Sequence, residues 1–93
     1  MYIILIYDIS TVGSGARISR NVFKICKKYL THVQKSVFEG ELTQSKLKKL
    51  QIELSEFIRD DMDSVVVFNS TQRRWLKKDF WGMNEEEKTS TFF

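Results

Sequence analysis

Asp8 is the residue whose type and position point most directly to chemistry. It ends an apolar run that begins at Tyr2, and a loop with two glycines follows it. A carboxylate at the rim of a sheet can cap the neighbouring loop through local hydrogen bonds, or it can bind a cation. One carboxylate binds a divalent cation poorly, but two carboxylates across a dimer axis match the way in which Mg²⁺ is held. In that second interpretation the metal serves phosphodiester hydrolysis.

The other reactive residue types form no recognisable catalytic set. His32 is the only histidine, and we expect it at a helix C-terminus or on a strand surface. Cys26 is expected to be a core thiol on the apolar face of a helix. Gly13, Ser14 and Gly15 open a helix whose amides could face a phosphate, but ordinary loop glycines are the more frequent explanation of such a segment. The acidic turn at 60–63 lacks the spacing of a calcium loop and is expected to be a solvated connection.

Basic residues form two clusters in a chain of net charge +3. From these clusters we predict six nucleic-acid-binding residues: Arg17, Arg20, Arg73, Arg74, Lys77 and Lys78. The second cluster is interleaved with tryptophan and phenylalanine. Solvated helix faces and a basic strand edge remain the alternative explanation of the same charges.

Hydrophobic periodicity predicts alternating strands and helices. The segments are a strand at 2–9, a helix at about 16–30, two short strands or one bent strand at 31–42, a helix at about 44–59 capped by Thr43, and a strand at 65–68. The fold class is α+β: a ferredoxin-like βαββαβ domain whose antiparallel sheet has both helices on one face.

The uncovered face of that sheet predicts a homodimer, because a domain of 93 residues gains stability by covering it with a second copy. Residues 71–82 are expected to add a C-terminal strand that pairs with its own sheet edge or with that of the partner, and pairing across the dimer is favoured. The single domain would then occupy 1–82, with a mobile tail at 83–93. With one cysteine, no signal peptide and no apolar run of about 20 residues, the expected location is the cytoplasm, without a membrane.

Three segments together resemble the CRISPR-associated protein two family. They are YDIS at 7–10, VQKSVFEGEL at 33–42 and DSV at 63–65, and the similarity runs in register over about residues 1–70. Members of this family are the smaller partner in the complex that captures new CRISPR spacers.

The resemblance implies a ferredoxin-like homodimer with Mg²⁺ or another divalent cation between two copies of the strand-end aspartate. It implies metal-dependent endonuclease activity on RNA or DNA. It also implies that the dimer bridges the larger CRISPR integrase subunit and holds double-stranded DNA. By position, Asp8 corresponds to the metal-binding and catalytic aspartate, Tyr7 and Ser10 flank it, and Phe38 corresponds to a phenylalanine of the family. One departure is that residues 11–16 contain no basic side chain.

Two other functions fit the same fold. One is a structural scaffold that binds nucleic acid without catalysis, and the other is an RNA-cleaving toxin. The fold alone does not choose among them, because ferredoxin-like sheets carry unrelated functions.

Overall fold

The structure, a computed structural model, describes residues 1–71, 79, 81 and 82 of the chain. Its elements in chain order are β1 (Tyr2–Asp8), α1 (Gly15–Tyr29), β2 (Thr31–Gln34), β3 (Val37–Glu41), α2 (Gln44–Ser55) and β4 (Ser64–Ser70). The predicted C-terminal strand at 71–82 and tail at 83–93 fall outside the described residues, apart from isolated positions. In the described part, no helix is long and apolar enough to cross a membrane.

The strands form one sheet in the order β2-β3-β1-β4, and every neighbouring pair is antiparallel. Helix α1 connects β1 to β2 across β3, and α2 connects β3 to β4 across β1. Each helix can therefore lay its apolar stripe on the same face of the sheet. This topology confirms the predicted α+β, ferredoxin-like βαββαβ fold and places β1 in the centre of the sheet.

The core lies between that sheet face and the two helices. Ile3 and Leu5 point into it from β1 and are fully buried, because successive side chains of a strand alternate between faces. Phe38 joins them from β3, while Val22 from α1 and Leu50 from α2 close the core from the other side. Each such side chain contributes about 1.5–3 kcal/mol on burial. This packing fixes β1, and with it the strand end that carries the candidate site.

Helix α2 begins as predicted but ends early. The Thr43 side chain accepts a hydrogen bond of 3.2 Å from the backbone amide three residues on, which confirms the predicted N-cap. The prediction carried the helix to about residue 59, but the helix ends at Ser55. The Arg59 amide donates to the Asp63 carboxylate at 2.9 Å, instead of to the backbone carbonyl one turn earlier. The last turn of the predicted helix is thereby replaced by a connection to β4.

Two strands, not one bent strand, occupy 31–42. A turn with Lys35 at a φ of +46° separates them, so the first of the two predicted alternatives is the observed one. Strand β4 is longer than the predicted 65–68 because it pairs with β1 along its whole length, beginning with Ser64 opposite Asp8. The start of β4 and the end of β1 therefore lie side by side at the same end of the sheet.

Candidate functional site

Asp8 is the last residue of β1, and its side chain is exposed. It follows Ile4 and Ile6 in the alternation of β1, so it belongs to the sheet face opposite the helices. No hydrogen bond or ion pair reaches its carboxylate from the described residues. The capping role that the sequence left open for Asp8 is therefore not seen in this part of the chain. Within the described ranges, nothing occupies the Asp8 carboxylate oxygens, so they can bind a ligand.

The face that carries Asp8 is named here the open sheet face. By strand register it contains Tyr2, Ile4, Ile6, Asp8, Val37, Glu39, Glu41, Ser64, Val66, Phe68 and Ser70. Phe68 is 54% exposed and Val66 is 48% exposed, although both side chains are apolar. Tyr2 donates a hydrogen bond to the Glu39 carboxylate, which is nearly buried. A patch of this kind on a small domain is typical of an interaction surface.

Tyr7 and Phe38 do not share that face with Asp8. Their rings stack in the core with centroids 6.1 Å apart, and both side chains are buried. Burial raises the pKa of the Tyr7 phenol, and the nearby Cys26 thiolate would raise it further. These two predicted supporting residues therefore hold β1 and β3 together from the helix side, and they do not line the site.

Ser10 contributes to the loop that follows Asp8. Its backbone amide donates to Asp63 Oδ1 at 2.9 Å, and its hydroxyl oxygen accepts from the Val12 amide at 3.2 Å. Gly13 adopts a φ of +61°, which favours glycine, and a Cβ at Gly15 would lie 1.9 Å from the Ser10 carbonyl oxygen. The two glycines thus allow the backbone to turn and to pass close to Ser10.

Arg59 and Asp63, in the connection between α2 and β4, hold the same loop by hydrogen bonds. Arg59 Nε lies 2.8 Å from Asp63 Oδ2, and Nη2 lies 3.0 Å from Asp63 Oδ1. The Arg59 guanidinium first of all, and then backbone amides of Arg59 and Ser10, hold the pKa of the Asp63 carboxyl well below its usual range. The expectation of a solvated acidic turn is therefore wrong for Asp63, which is buried. The one signal in the sequence is the Arg–Asp spacing of four residues.

The basic residues predicted on α1 are exposed. Arg17 and Arg20 lie on the outer side of the helix with Lys24. Lys28 forms an ion pair with Glu53 of α2, which also accepts a hydrogen bond from the Tyr29 hydroxyl. The second predicted cluster, Arg73, Arg74, Lys77 and Lys78, lies outside the described residues.

His32 and Cys26 pack against neighbouring residues and do not belong to the candidate site. The His32 ring lies 4.9 Å from the Phe23 ring and 4.9 Å from the Phe38 ring, and its Nε2 lies 2.7 Å from the Lys35 carbonyl oxygen. Cys26 is fully buried, which raises the pKa of its thiol to about 12. A neutral buried thiol is a poor nucleophile and metal ligand, so the core position predicted for Cys26 is confirmed.

A divalent cation at Asp8 needs ligands from a second source. Among the residues that the structure describes, no group of three or more His, Cys, Asp and Glu is placed to hold a metal ion. The exposed Asp8 carboxylate has the hard oxygen atoms that Mg²⁺ prefers, and Mg²⁺ is commonly bound by one or two carboxylates plus phosphate oxygens. Asp8 fits such a site if a second molecule completes it.

Comparison with known proteins places this chain among CRISPR-associated proteins. The family model described as "CRISPR associated protein Cas2" matches residues 1–78. A relative from Fusobacterium nucleatum, a CRISPR-associated endoribonuclease Cas2, is 47% identical over 92 residues, which cover 99% of this chain and 86% of the relative. The CRISPR-associated endoribonuclease Cas2 3 of Thermodesulfovibrio yellowstonii is 40% identical over 85 residues, covering 91% of each protein.

Solved structures show the same fold. The crystal structure of Streptococcus pyogenes Cas2 at pH 6.5 has a TM-score of 0.72 and 26% identity, covering 86% of this chain and 100% of that one. A structure described as the crystal structure of cas2 has a TM-score of 0.79 and 30% identity, covering 91% of this chain and 90% of that one. The family match, the close relatives and the shared topology together show that this chain belongs to the Cas2 family of CRISPR-associated proteins.

Proposed function

We propose that this chain is a metal-dependent endonuclease that hydrolyses phosphodiester bonds in RNA or DNA, with Asp8 as its catalytic and metal-binding residue. The observation that carries the proposal is the Asp8 carboxylate, exposed at the end of the central strand on the open sheet face. The two relatives from Fusobacterium and Thermodesulfovibrio are named endoribonucleases, which supports RNA as one substrate.

The active species in this proposal is a homodimer formed through the open sheet face. Exposed Ile6, Val66 and Phe68 give that face the apolar character of an interface. A twofold axis near the end of β1 brings the Asp8 carboxylates of the two copies together. Two adjacent carboxylates repel each other, so their juxtaposition favours binding of Mg²⁺ or another divalent cation. When bound, the cation supplies Lewis-acid stabilisation and lowers the pKa of a bound water.

The dimer is further proposed to act in the acquisition of CRISPR spacers. In this role it bridges dimers of the larger CRISPR integrase subunit and holds double-stranded DNA, in the cytoplasm. Support comes from membership of the Cas2 family and from the exposed Arg17 and Arg20 of α1. Their guanidinium groups can make charge-assisted contacts with phosphates.

The nuclease proposal is tested by Asp8→Asn, which removes the charge and keeps the shape of the side chain. Cleavage of an RNA oligonucleotide and of duplex DNA is measured with Mg²⁺ and with a chelator. Cleavage is expected to fall by at least about 100-fold, because loss of an outer-shell partner of a metal already costs about 10- to 100-fold. Glu41→Gln is the matched control, since Glu41 of β3 is exposed on the same face and pairs with Tyr2, at the opposite end of β1 from Asp8. Equal cleavage by Asp8→Asn and the unmodified protein would remove Asp8 from the mechanism.

A nucleic-acid scaffold without catalysis is the second candidate, and the basic outer side of α1 favours it. The double variant Arg17→Gln/Arg20→Gln is expected to weaken binding of duplex DNA. It should also reduce the slope of log K against log salt by about 0.9 for each phosphate that the variant no longer neutralises. The control Lys46→Gln/Lys48→Gln removes the same charge from exposed positions of α2. If both double variants weaken binding equally, α1 is not a specific DNA surface. Normal spacer capture with Asp8→Asn would favour the scaffold over the nuclease.

A further inference from the structure

The backbone around Asp8 is closed into a small ring. Asp8 pairs with Ser64 at the meeting point of β1 and β4. Two residues later, the Ser10 amide donates to the carboxylate of Asp63, the residue just before Ser64. The ring therefore runs from Asp8 through Ile9 to Ser10, across to Asp63, and back through Ser64. The Asp63 carboxylate is thus connected to the backbone two residues after Asp8.

Arg59 holds this ring in place through hydrogen bonds from most of the N–H donors of its guanidinium group. Besides the two bonds to Asp63, Nη2 donates to the Ser10 carbonyl at 2.8 Å and Nη1 donates to the Val12 carbonyl at 2.6 Å. A guanidinium has five N–H donors, so four are taken by these contacts. An arginine occupied in this way has little capacity left for a substrate phosphate. Its contacts are directed at the loop.

The Arg59–Asp63 pair is also sheltered from solvent. The Asp63 side chain is 0% exposed and that of Arg59 is 22% exposed. Charged hydrogen bonds are stronger in such surroundings and are screened less by salt than surface pairs. A lysine could keep the charge, but it could not reach Asp63, Ser10 and Val12 at once with the planar fork of arginine.

We infer that Arg59 is a positioning residue for Asp8: through Asp63 and the carbonyls of Ser10 and Val12, it sets the position from which Asp8 presents its carboxylate to a divalent cation. This inference rests on the proposed function of Asp8. The competing explanation is that the Arg59–Asp63 pair only stabilises the fold, which would leave cation binding by a folded variant unchanged.

The test uses the full chain and the variants Arg59→Lys and Asp63→Asn. Binding of Mn²⁺, the probe cation, is followed by electron paramagnetic resonance, and kcat and KM are measured for one RNA oligonucleotide. Thermal unfolding and circular dichroism select conditions in which each variant is folded. The control Glu53→Gln removes the anionic partner of the ion pair between α1 and α2, on the helix side of the sheet.

For Arg59→Lys we expect a dissociation constant for Mn²⁺ raised by about tenfold, kcat lowered by about 10- to 100-fold, and KM within about twofold of the unmodified value. Asp63→Asn retains an acceptor for the Ser10 amide, so a smaller change in the same direction is expected. It also serves as the deciding variant if Arg59→Lys does not fold. Glu53→Gln should leave all three constants unchanged.

Several outcomes would overturn the inference. If the folded Arg59 or Asp63 variant binds Mn²⁺ and cleaves RNA like the unmodified protein, the pair is structural and the proposed function stands. If Glu53→Gln lowers Mn²⁺ affinity equally, the effect follows stability and not the loop. If the unmodified protein neither binds Mn²⁺ nor cleaves RNA, the proposed function fails and this inference fails with it.

Discussion

Asp63 makes the stability of the protein depend on pH. Its pKa in the folded protein lies well below the ordinary value of 3.8, chiefly because the Arg59 side chain donates to the carboxylate. The folded state therefore binds fewer protons than the unfolded state at mildly acidic pH. The resulting stabilisation is present above the unfolded pKa, and it is lost as pH falls toward the folded pKa.

We expect the urea midpoint of the unmodified protein to fall between about pH 5 and pH 3, and that of Asp63→Asn to start lower and change less. Glu53→Gln is the control, because the pKa of Glu53 is also lowered, by Lys28 and then Tyr29, but its side chain is more accessible to solvent than that of Asp63. Parallel pH profiles for the unmodified protein and Asp63→Asn would contradict this assignment.

The sequence predicts Asp8 as the exposed residue of the candidate site, but it does not predict the residues that hold the neighbouring loop. Asp8 is readable because a carboxylate that ends an apolar strand must lie at the sheet rim. Arg59 and Asp63 are separated from Asp8 by about 50 residues, and only the pairing of β1 with β4 brings them to the same loop. The placement of Tyr7 in the core follows from strand alternation, since neighbours of Asp8 must point to the other face.

Among the elements, the connection from β1 into α1 depends on Gly13 of the loop and on Gly15, the first residue of α1, for different reasons. Gly15→Ala would place a Cβ 1.9 Å from the Ser10 carbonyl oxygen, so the loop must move. Gly13→Ala meets its nearest neighbouring atom at 3.8 Å and is strained only by the φ of +61°. We expect Gly15→Ala to lower the free energy of unfolding by about 3 kcal/mol and Gly13→Ala by about 1 kcal/mol. Chemical denaturation measures both, and a reversed order would show that the close contact is not maintained in solution.

The ends of the elements were less predictable than their order. The apolar stripe of α2 continues through Phe57 and Ile58, which still pack on the core after the helix has ended. Periodicity alone therefore extended the helix, because it records burial and not backbone hydrogen bonding. The decisive contact is the Arg59 amide with the Asp63 carboxylate, a side-chain acceptor that competes with the helix. The order of strands in the sheet was predictable, since few topologies let both helices cover one face.

For the molecule as a whole, the two faces of the sheet differ in what they contact: one packs against the helices, and the other is exposed in the described part of the chain. The helix side supplies the core that fixes β1, and the open sheet face presents both the apolar patch and Asp8. A dimer through this face would cover the patch and complete the cation site in one step. Stability, assembly and metal binding are then coupled, so loss of the dimer should remove cleavage even when Asp8 is intact.

Phe68→Glu tests this coupling because it places a charge in the apolar patch of the open sheet face, on the edge strand β4 beside β1. Phe68 pairs with Ile4 of the central strand and is 54% exposed, so a single copy should tolerate the change. We expect the dimer dissociation constant to rise by at least about 30-fold, since an aromatic side chain buried at an interface contributes about 2 kcal/mol or more. RNA cleavage should fall in proportion to the dimer that remains.

Light scattering and the cleavage assay are run over a range of protein concentrations. The control Ile52→Glu introduces the same charge at a 53% exposed apolar residue of α2, on the helix side. A Phe68→Glu protein that stays dimeric and active would show that the two copies do not meet through this face.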